Sequence, residues 1–376
     1  MEFDQRVGTR PVGLGHPRYR SDTAFRLLLQ ESGTWAGTLR GVETKSPGPS
    51  MASHFLITID VEGDNVWTKP KQVETENAAY MPRFQALCEK YGLRPTYLTN
   101  HEMAMSPVYR EFAQDVAARN VGEIGMHLHA WDSPPFEPLS ADDSQHQPYL
   151  IDYPESTIRK KVRVMTDILE SMVGRKMLSH RAGRWAFNAP YARALVDCGY
   201  VADCSVTPHI SWRGTPGAPS GSGGSDYSRA PESPYFIDLA DVARAGNSTL
   251  LEVPMTIVAG KSPIVKLARS MSKGLGKRAR TAVNRLLPPI QWLRPNGKNL
   301  DSMLEIIRAK RAAGATHIEF MLHSSELMPG GSPTFKTTDA IERLYSDMEQ
   351  VFAATSGLIP STVSEFRAAF VSGSVH

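Results

Sequence analysis

The chain contains 376 residues, which is enough for one large domain or two ordinary ones. Hydrophobic residues make up 41% and charged residues 22%, and the formal net charge is +3, values typical of a globular protein. No apolar run is long enough to span a membrane, and the first residues lack the apolar core of a secretory signal. Three cysteines (Cys88, Cys198 and Cys204) have no metal-binding or redox spacing, which predicts reduced thiols in the cytoplasm.

Residues 1–50 are rich in Gly, Arg, Pro, Ser and Thr, which predicts a mostly disordered extension. Met51 directly precedes the first strand and is an alternative start of the natural protein. From residue 51 to 376 we expect one domain, in which short β-branched or apolar runs alternate with segments of helical periodicity. Strands are predicted at 55–60, 95–99, 121–127, 177–181, 200–204, 250–257 and 317–322. Helices are predicted at 79–91, 107–120, 153–173, 189–198, 300–313 and 338–355.

This β–α alternation favours an α/β fold, a distorted (β/α) barrel with six to seven parallel strands. Residues 211–234 are rich in Gly, Ser and Pro and are predicted to form a flexible loop. Residues 261–298 hold ten Lys and Arg and no Asp or Glu, which predicts a basic helical insertion. Three interpretations of it stay open: a solvated helix face, a platform for an anionic glycan or sugar-nucleotide, and peripheral contact with an anionic membrane. Nucleic acid is not an expected partner, because no binding motif accompanies the charge.

The first predicted strand ends in a cluster of acids. Its apolar run is followed by Asp60, Glu62 and Asp64. Asp60 and Glu62 are two positions apart, so on an extended chain their side chains point to the same side. Two converging carboxylates repel each other unless a cation or a proton lies between them. In isolation the pattern favours a strand followed by a polar turn. Whether it belongs to a functional site depends on the residues at the other strand ends.

The third strand ends in a pair of histidines, His127 and His129. Extended geometry aims both imidazoles the same way, a common arrangement for binding one metal ion. Together with an acid from the first strand they supply two imidazoles and a carboxylate, which leaves positions open for water, as catalytic zinc sites require.

Two later strands end in residues suited to acid–base chemistry. Arg181 follows the strand at 177–181 and is expected to pair with an acid, since burying it unpaired is costly. His323 follows the strand at 317–322, and a histidine there can serve as an acid or a base near neutral pH.

Four segments resemble, in this order, the motifs of the polysaccharide deacetylases, which are also called the NodB-homology group or carbohydrate esterase family 4. They are the acid cluster, E-I-G-M-H, R-A-G and M-L-H-S-S-E-L. The H-L-H-A-W form resembles the branch found among lipopolysaccharide and O-antigen gene products. The similarity covers about residues 54–370. It implies removal of an N-acetyl group from an amino sugar, sugar-nucleotide or glycan, with a divalent metal ion, most often zinc.

The resemblance also implies a role for each matching residue. Asp60 matches the general base, Arg181 the arginine that orients it, and His323 the general acid. Glu62 and His127 match metal ligands. The family's second metal histidine usually lies four residues after the first, where this chain has Trp131, so that role passes to His129. Asp64 is the alternative to Glu62 as ligand.

Two other functions remain open at this stage. One is a different metal-dependent hydrolase barrel of the amidohydrolase type, in which an H-x-H pair usually lies on the first strand. The other is a carbohydrate-binding barrel without catalysis. Asp60, Arg181 and His323 together argue against the latter, because binding alone does not need a base, its orienting arginine and an acid.

Overall fold

The computed structural model describes residues 53–68, 73–215, 217, 223–259 and 290–373. The predicted extension at residues 1–50 lies outside the described residues, as do 260–289, which form most of the predicted basic insertion. None of the helices in the described part of the chain is long and apolar enough to cross a bilayer.

Twelve strands and nine α-helices are present within these ranges. The strands are β1 His54–Val61, β2 Thr96–Thr99, β3 Glu123–Leu128, β4 Ser179–Ala182, β5 Ala202–Asp203, β6 Tyr235–Asp238, β7 Asp241–Ala245, β8 Leu251–Glu252, β9 Ile257–Ala259, β10 Ile290–Trp292, β11 His317–His323 and β12 Ile359–Ser361. The helices are α1 Met81–Lys90, α2 His101–Met105, α3 Pro107–Arg119, α4 Asp143–His146, α5 Glu155–Val173, α6 Ala189–Cys198, α7 Leu300–Ala312, α8 Thr338–Ala353 and α9 Val363–Gly373.

Ten of these strands form one sheet, in the order β11-β1-β2-β3-β4-β5-β8-β6-β7, with β12 also paired to β1. Pairing is parallel from β11 to β8, whereas β6 and β7 are antiparallel. The predicted α/β class and distorted, incomplete barrel are confirmed. The sheet has ten strands rather than six or seven, because β6, β7 and β12 are only 4, 5 and 3 residues long, too short for a clear strand pattern in the sequence.

The helices cover the sheet with the faces that the periodicity predicts. On α5, for example, Ile158, Val162, Met165 and Leu169 are all buried, and the helix ends at Gly174, whose φ of 69° suits glycine. Strand β1 is buried along its whole length, as its continuous apolar run predicts for a central parallel strand.

Three segments differ from the predicted elements. The strand predicted at 250–257 is divided into β8 and β9 around Pro254, whose missing N–H cannot join a sheet ladder. Residues 290–292, at the end of the predicted helical insertion, form strand β10 against β9. In the predicted loop, Ser211 forms an antiparallel bridge with Asp226.

The strand register brings the candidate residues to one edge of the sheet. Asp60 on β1 lies opposite His323 on β11, and His127 on β3 lies opposite Arg181 on β4. Because the carboxyl ends of parallel strands meet at the same edge, four separate sequence segments contribute side chains to one place.

Candidate metal-binding and catalytic site

Glu62, His127 and His129 converge on one point at this edge. The Nε2 atoms of the two histidines are 3.0 Å apart. Glu62 Oε2 lies 3.7 Å from Nε2 of His127 and 3.4 Å from Nε2 of His129. All three side chains are buried, and one ligand atom from each lies within 4.8 Å of the others.

The hydrogen bonds of His127 leave its inner nitrogen free to bind a metal. Its Nδ1 lies 2.9 Å from the carbonyl oxygen of Arg181, which can only accept, so Nδ1 carries the proton and Nε2 of the neutral ring presents a lone pair. His129 places its Nδ1 3.5 Å from Asp132 Oδ2 and stacks its ring on Trp131, with the ring centroids 4.5 Å apart. A carboxylate behind a metal-binding imidazole is a common way to orient the ring.

The charges of this group fit a divalent cation. Burial alone raises the pKa of Glu62, but the neighbouring histidines, His323 foremost, outweigh it and hold the pKa below its usual value. The carboxyl is therefore ionised at neutral pH. Burial lowers the pKa of His127, and the charges of Asp60 and Glu62 reverse that shift and raise it. Two imidazoles and one carboxylate form a donor set that suits zinc.

Asp64, the alternative ligand, makes hydrogen bonds elsewhere. Its carboxylate accepts from the backbone N–H of Glu76 at 2.8 Å and of Asn77 at 3.0 Å, and from Asn77 Nδ2 at 2.6 Å. These contacts begin the 3₁₀ turn at Glu76–Tyr80. Asp64 thus joins the loop after β1 to this turn, whereas Glu62 faces the histidines.

Asp60 lies in a buried ion-pair network with Arg181. Arg181 Nη1 donates to Asp60 Oδ1 at 2.7 Å, while Nη2 donates to Thr58 Oγ1 at 2.8 Å and to Glu319. Its Nε donates to the carbonyl oxygen of Cys204 at 2.9 Å. The guanidinium is fully buried, and it is fixed because each of its nitrogens has an acceptor.

This network separates the protonation of two buried acids. Burial raises the pKa of Asp60, but Arg181, His127 and His323 together bring it well below its ordinary value. Burial also raises the pKa of Glu319, and there it prevails over Arg181, so that the pKa reaches about 7. At neutral pH Asp60 is therefore ionised, whereas Glu319 is close to the middle of its titration.

His323 faces Asp60 and Glu62 from β11. Its Nε2 is 3.8 Å from Asp60 Oδ2 and 3.6 Å from Glu62 Oε1. On the other side of the ring, Arg294 Nη2 lies 2.8 Å from Nδ1. Arg294 also donates to Glu326 at 3.0 Å, and Glu326 accepts the backbone N–H of His323 at 2.9 Å.

Sequence reasoning missed three of these partners: Arg294, Glu319 and Glu326. Arg294 belongs to the basic segment and was interpreted only as part of its charge. Glu319 is a lone acid within the apolar strand β11, and that was a signal, since a buried carboxyl needs a partner. Glu326 lies three residues after His323 in the M-L-H-S-S-E-L segment. No helix or strand pattern in the sequence predicts the direction of its side chain.

The site opens into a cavity of about 860 Å³, within the range of small-molecule sites. Asp60, Glu62, His127, His129 and His323 lie in its wall. Several aromatic side chains line the remainder: Trp67, Trp131, Tyr149, Trp185 and Trp212. Such rings suit the apolar faces of sugars.

Comparison with known proteins supports the fold. No family model matches the sequence, and no curated protein matches it. A Parabacteroides distasonis protein provisionally named a glycoside hydrolase or deacetylase has a similar structure, with a TM-score of 0.53 and 12% identity over 87% of this chain and 73% of that one. A Mycobacterium smegmatis protein provisionally named a polysaccharide deacetylase gives a TM-score of 0.49 and 15% identity over 88% and 94%.

A Bacillus anthracis pseudoenzyme of carbohydrate esterase family 4 is also similar, with a TM-score of 0.39 and 10% identity over 85% of this chain and 66% of that one. At 12% identity the likeness to the Parabacteroides distasonis protein is one of fold, and it agrees with the α/β fold that the sequence predicts.

Proposed function

We propose that this protein, whose fold resembles that of polysaccharide deacetylases, is a metal-dependent carbohydrate N-deacetylase. It hydrolyses the N-acetyl group of an amino sugar and releases acetate and a free amine. One observation carries the proposal. The Asp60 carboxylate and the His323 imidazole lie 3.8 Å apart, next to the group formed by Glu62, His127 and His129. Arg181 donates a hydrogen bond to Asp60, and Arg294 donates one to His323.

Glu62, His127 and His129 would hold the metal ion, for which zinc is the best match to the donors. When bound, such an ion supplies a Lewis acid next to the acetyl carbonyl and makes water a better nucleophile.

Asp60 is the proposed base. Arg181 keeps it ionised and fixes its orientation through Nη1, so its second oxygen is directed towards the cavity and can accept the proton of the attacking water. Because the arginine is buried and bonded on all sides, the carboxylate does not need to reorganise during the reaction.

His323 is the proposed acid. Arginine can only donate, so the 2.8 Å contact from Arg294 requires that the neutral imidazole accept at Nδ1 and carry its proton on Nε2. The alternative, an Nδ1–H donated to Glu326 Oε2, has a longer distance of 3.4 Å. The Nε2–H is therefore directed at the cavity. To act as the acid the ring would first take up a second proton, and as an imidazolium it would give the Nε2 proton to the leaving amine and return to the neutral form.

Two other functions compete with this one. A different metal-dependent hydrolase would use the same ligands on another substrate. A catalytically inactive carbohydrate-binding protein would need neither the Asp60–Arg181 pair nor the His323–Arg294 pair. The first pair is buried at a cost in desolvation that binding alone does not require.

Acetate release from a panel of N-acetylated sugars, sugar-nucleotides and oligosaccharides tests the proposal, with metal-stripped and zinc-reconstituted protein. We expect release only with metal, and a loss of at least about a hundredfold in Asp60→Asn and His323→Ala. Asp115→Asn, an exposed acid on α3, is the matched control and should behave as wild type. Equal rates in wild type and Asp60→Asn would refute the mechanism, and metal binding without acetate release from any substrate would favour the other functions.

A further inference from the structure

Arg184 lies in the wall of the cavity without an ionic partner. Its guanidinium carbon is 5.3 Å from the ring centre of Tyr149 and 5.9 Å from that of Trp131. Within the part of the chain that the structure describes, no carboxylate pairs with it. A half-buried arginine held between aromatic rings keeps its charge and leaves its N–H donors free for a ligand.

The backbone around Arg184 is unusual. Arg184 and Trp185 both have left-handed conformations, with φ of 56° and 60°, which residues with a side chain rarely adopt. The preceding residue, Gly183, packs so tightly that a Cβ there would lie 2.2 Å from Cδ2 of His129. The turn is therefore fixed against the metal-site histidine, and it directs Arg184 into the cavity while Trp185 covers the guanidinium of Arg181.

The other charged groups in the cavity wall outside the proposed metal site and Asp60 already have partners. Asp132 lies 3.5 Å from His129 Nδ1, and the exposed Asp142 accepts from Ser144 Oγ and from the N–H of Gln145. Arg294 is paired with Glu326 at 3.0 Å. Among the described residues of the wall, Arg184 is thus the cation whose charge is not neutralised.

We propose that the substrate is an amino sugar that carries an anionic oxygen group, a carboxylate or a phosphoryl group, and that Arg184 binds this group. The inference rests on the proposed function, which it deepens by naming the substrate class. A guanidinium binds both groups through two parallel N–H···O bonds. Trp131 contacts both Arg184 and His129, so the anionic group would bind close to the reacting centre.

Binding is measured without turnover, by tryptophan fluorescence of zinc-loaded Asp60→Asn protein, because four tryptophans line the cavity. Three probes are compared: N-acetylglucosamine, its 1-phosphate and its C6 uronic acid. We expect at least one anionic probe to bind about tenfold or more tightly than the neutral sugar, with a preference that weakens as salt increases. The stronger of the two anionic probes identifies the group.

Two variants of Arg184 and one control complete the test. Arg184→Gln should remove the preference, whereas Arg184→Lys should keep part of it. Arg213→Gln is the control and should keep the full preference for the anionic probe. Arg213 is largely exposed and lies beside Asp226. Equal affinity for neutral and anionic probes, or a preference that persists in Arg184→Gln, would overturn the inference. An intact preference in a protein that releases no acetate would reject the proposed function and leave the anion site standing.

Discussion

Arg294 donates a hydrogen bond from Nη2 to Nδ1 of His323 across 2.8 Å. This contact determines which nitrogen of the ring holds the proton, and the proton faces the cavity. The arginine itself is held by Glu326, whose pKa is lowered to about 2 because Arg294 and His323 outweigh the effect of burial. Arg294, Glu326 and His323 thus form one polar unit, in which Glu326 contacts both the arginine and the imidazole.

Arg294→Gln should therefore reduce kcat by about tenfold to a hundredfold, because His323 loses the contact that keeps its proton on Nε2. KM and zinc content should change little, since Arg294 contacts neither metal-site histidine. Steady-state kinetics test this, and ¹⁵N NMR of the imidazole reports the tautomer. An unchanged tautomer in the variant would show that Arg294 does not position the proton.

Much of the site could be predicted from sequence because it follows from strand ends. Asp60, the His127 and His129 pair, and His323 all terminate apolar runs, and parallel strands bring such positions together. Arg294 could not be predicted in this way. It comes from a loop after β10, 29 positions before His323, and no local pattern links a basic segment to an imidazole. Strands β6, β7 and β12 were missed for a different reason, because they are only 4, 5 and 3 residues long and show no clear period.

Arg181→Met should lower the free energy of unfolding by about 3–5 kcal/mol, because it leaves buried carboxylates at Asp60 and Glu319 without their cation. Adding Glu319→Gln should recover part of this loss, since the amide does not carry a charge. Activity should stay low in both variants, because Asp60 remains unoriented. Urea unfolding measures the free energy of unfolding. If the value for Arg181→Met lay within about 1 kcal/mol of the wild-type value, the buried network would not be tightly coupled.

Glu62→Gln and Asp64→Asn should differ in metal content. The first removes a charged ligand next to both histidines and should lower the zinc bound per chain after dialysis. The second should retain zinc but lose about 1 kcal/mol of stability, because the amide keeps only one of the two oxygens that accept from the turn at residues 76–77. Metal analysis and thermal unfolding check the pair. If Asp64→Asn lost the metal and Glu62→Gln kept it, the ligand assignment would be reversed.

Gly183→Ala should disturb the proposed metal site without replacing any of its proposed ligands. The added Cβ would lie 2.2 Å from His129 Cδ2 and 2.5 Å from the carbonyl oxygen of Leu128, so the histidine has to move. We expect weaker zinc binding and lower activity. Gly214→Ala is the control, because a Cβ there meets no atom of the described chain within 4 Å. Equal zinc affinity in both variants would mean that the turn can shift away from His129.

His317 should make the protein less stable in mild acid. It is buried, and burial lowers its pKa to about 4, although its bond to the carbonyl oxygen of Pro254 partly opposes the shift. An unfolded chain takes up this proton near pH 6.5, whereas the folded chain takes it up only near pH 4. Unfolding therefore binds a proton between these values, and the free energy of unfolding falls by up to roughly 3 kcal/mol as the pH falls through that window.

His317→Gln should flatten this part of the pH dependence, even though the loss of packing lowers its stability at pH 8. His146→Gln, a substitution of an exposed histidine on α4, should follow the wild-type curve. Urea unfolding at intervals from pH 8 to pH 4 gives the three curves, and the histidines of the metal site contribute equally to each, so the difference isolates His317. Parallel curves for wild type and His317→Gln would mean that this imidazole does not resist protonation in the folded state.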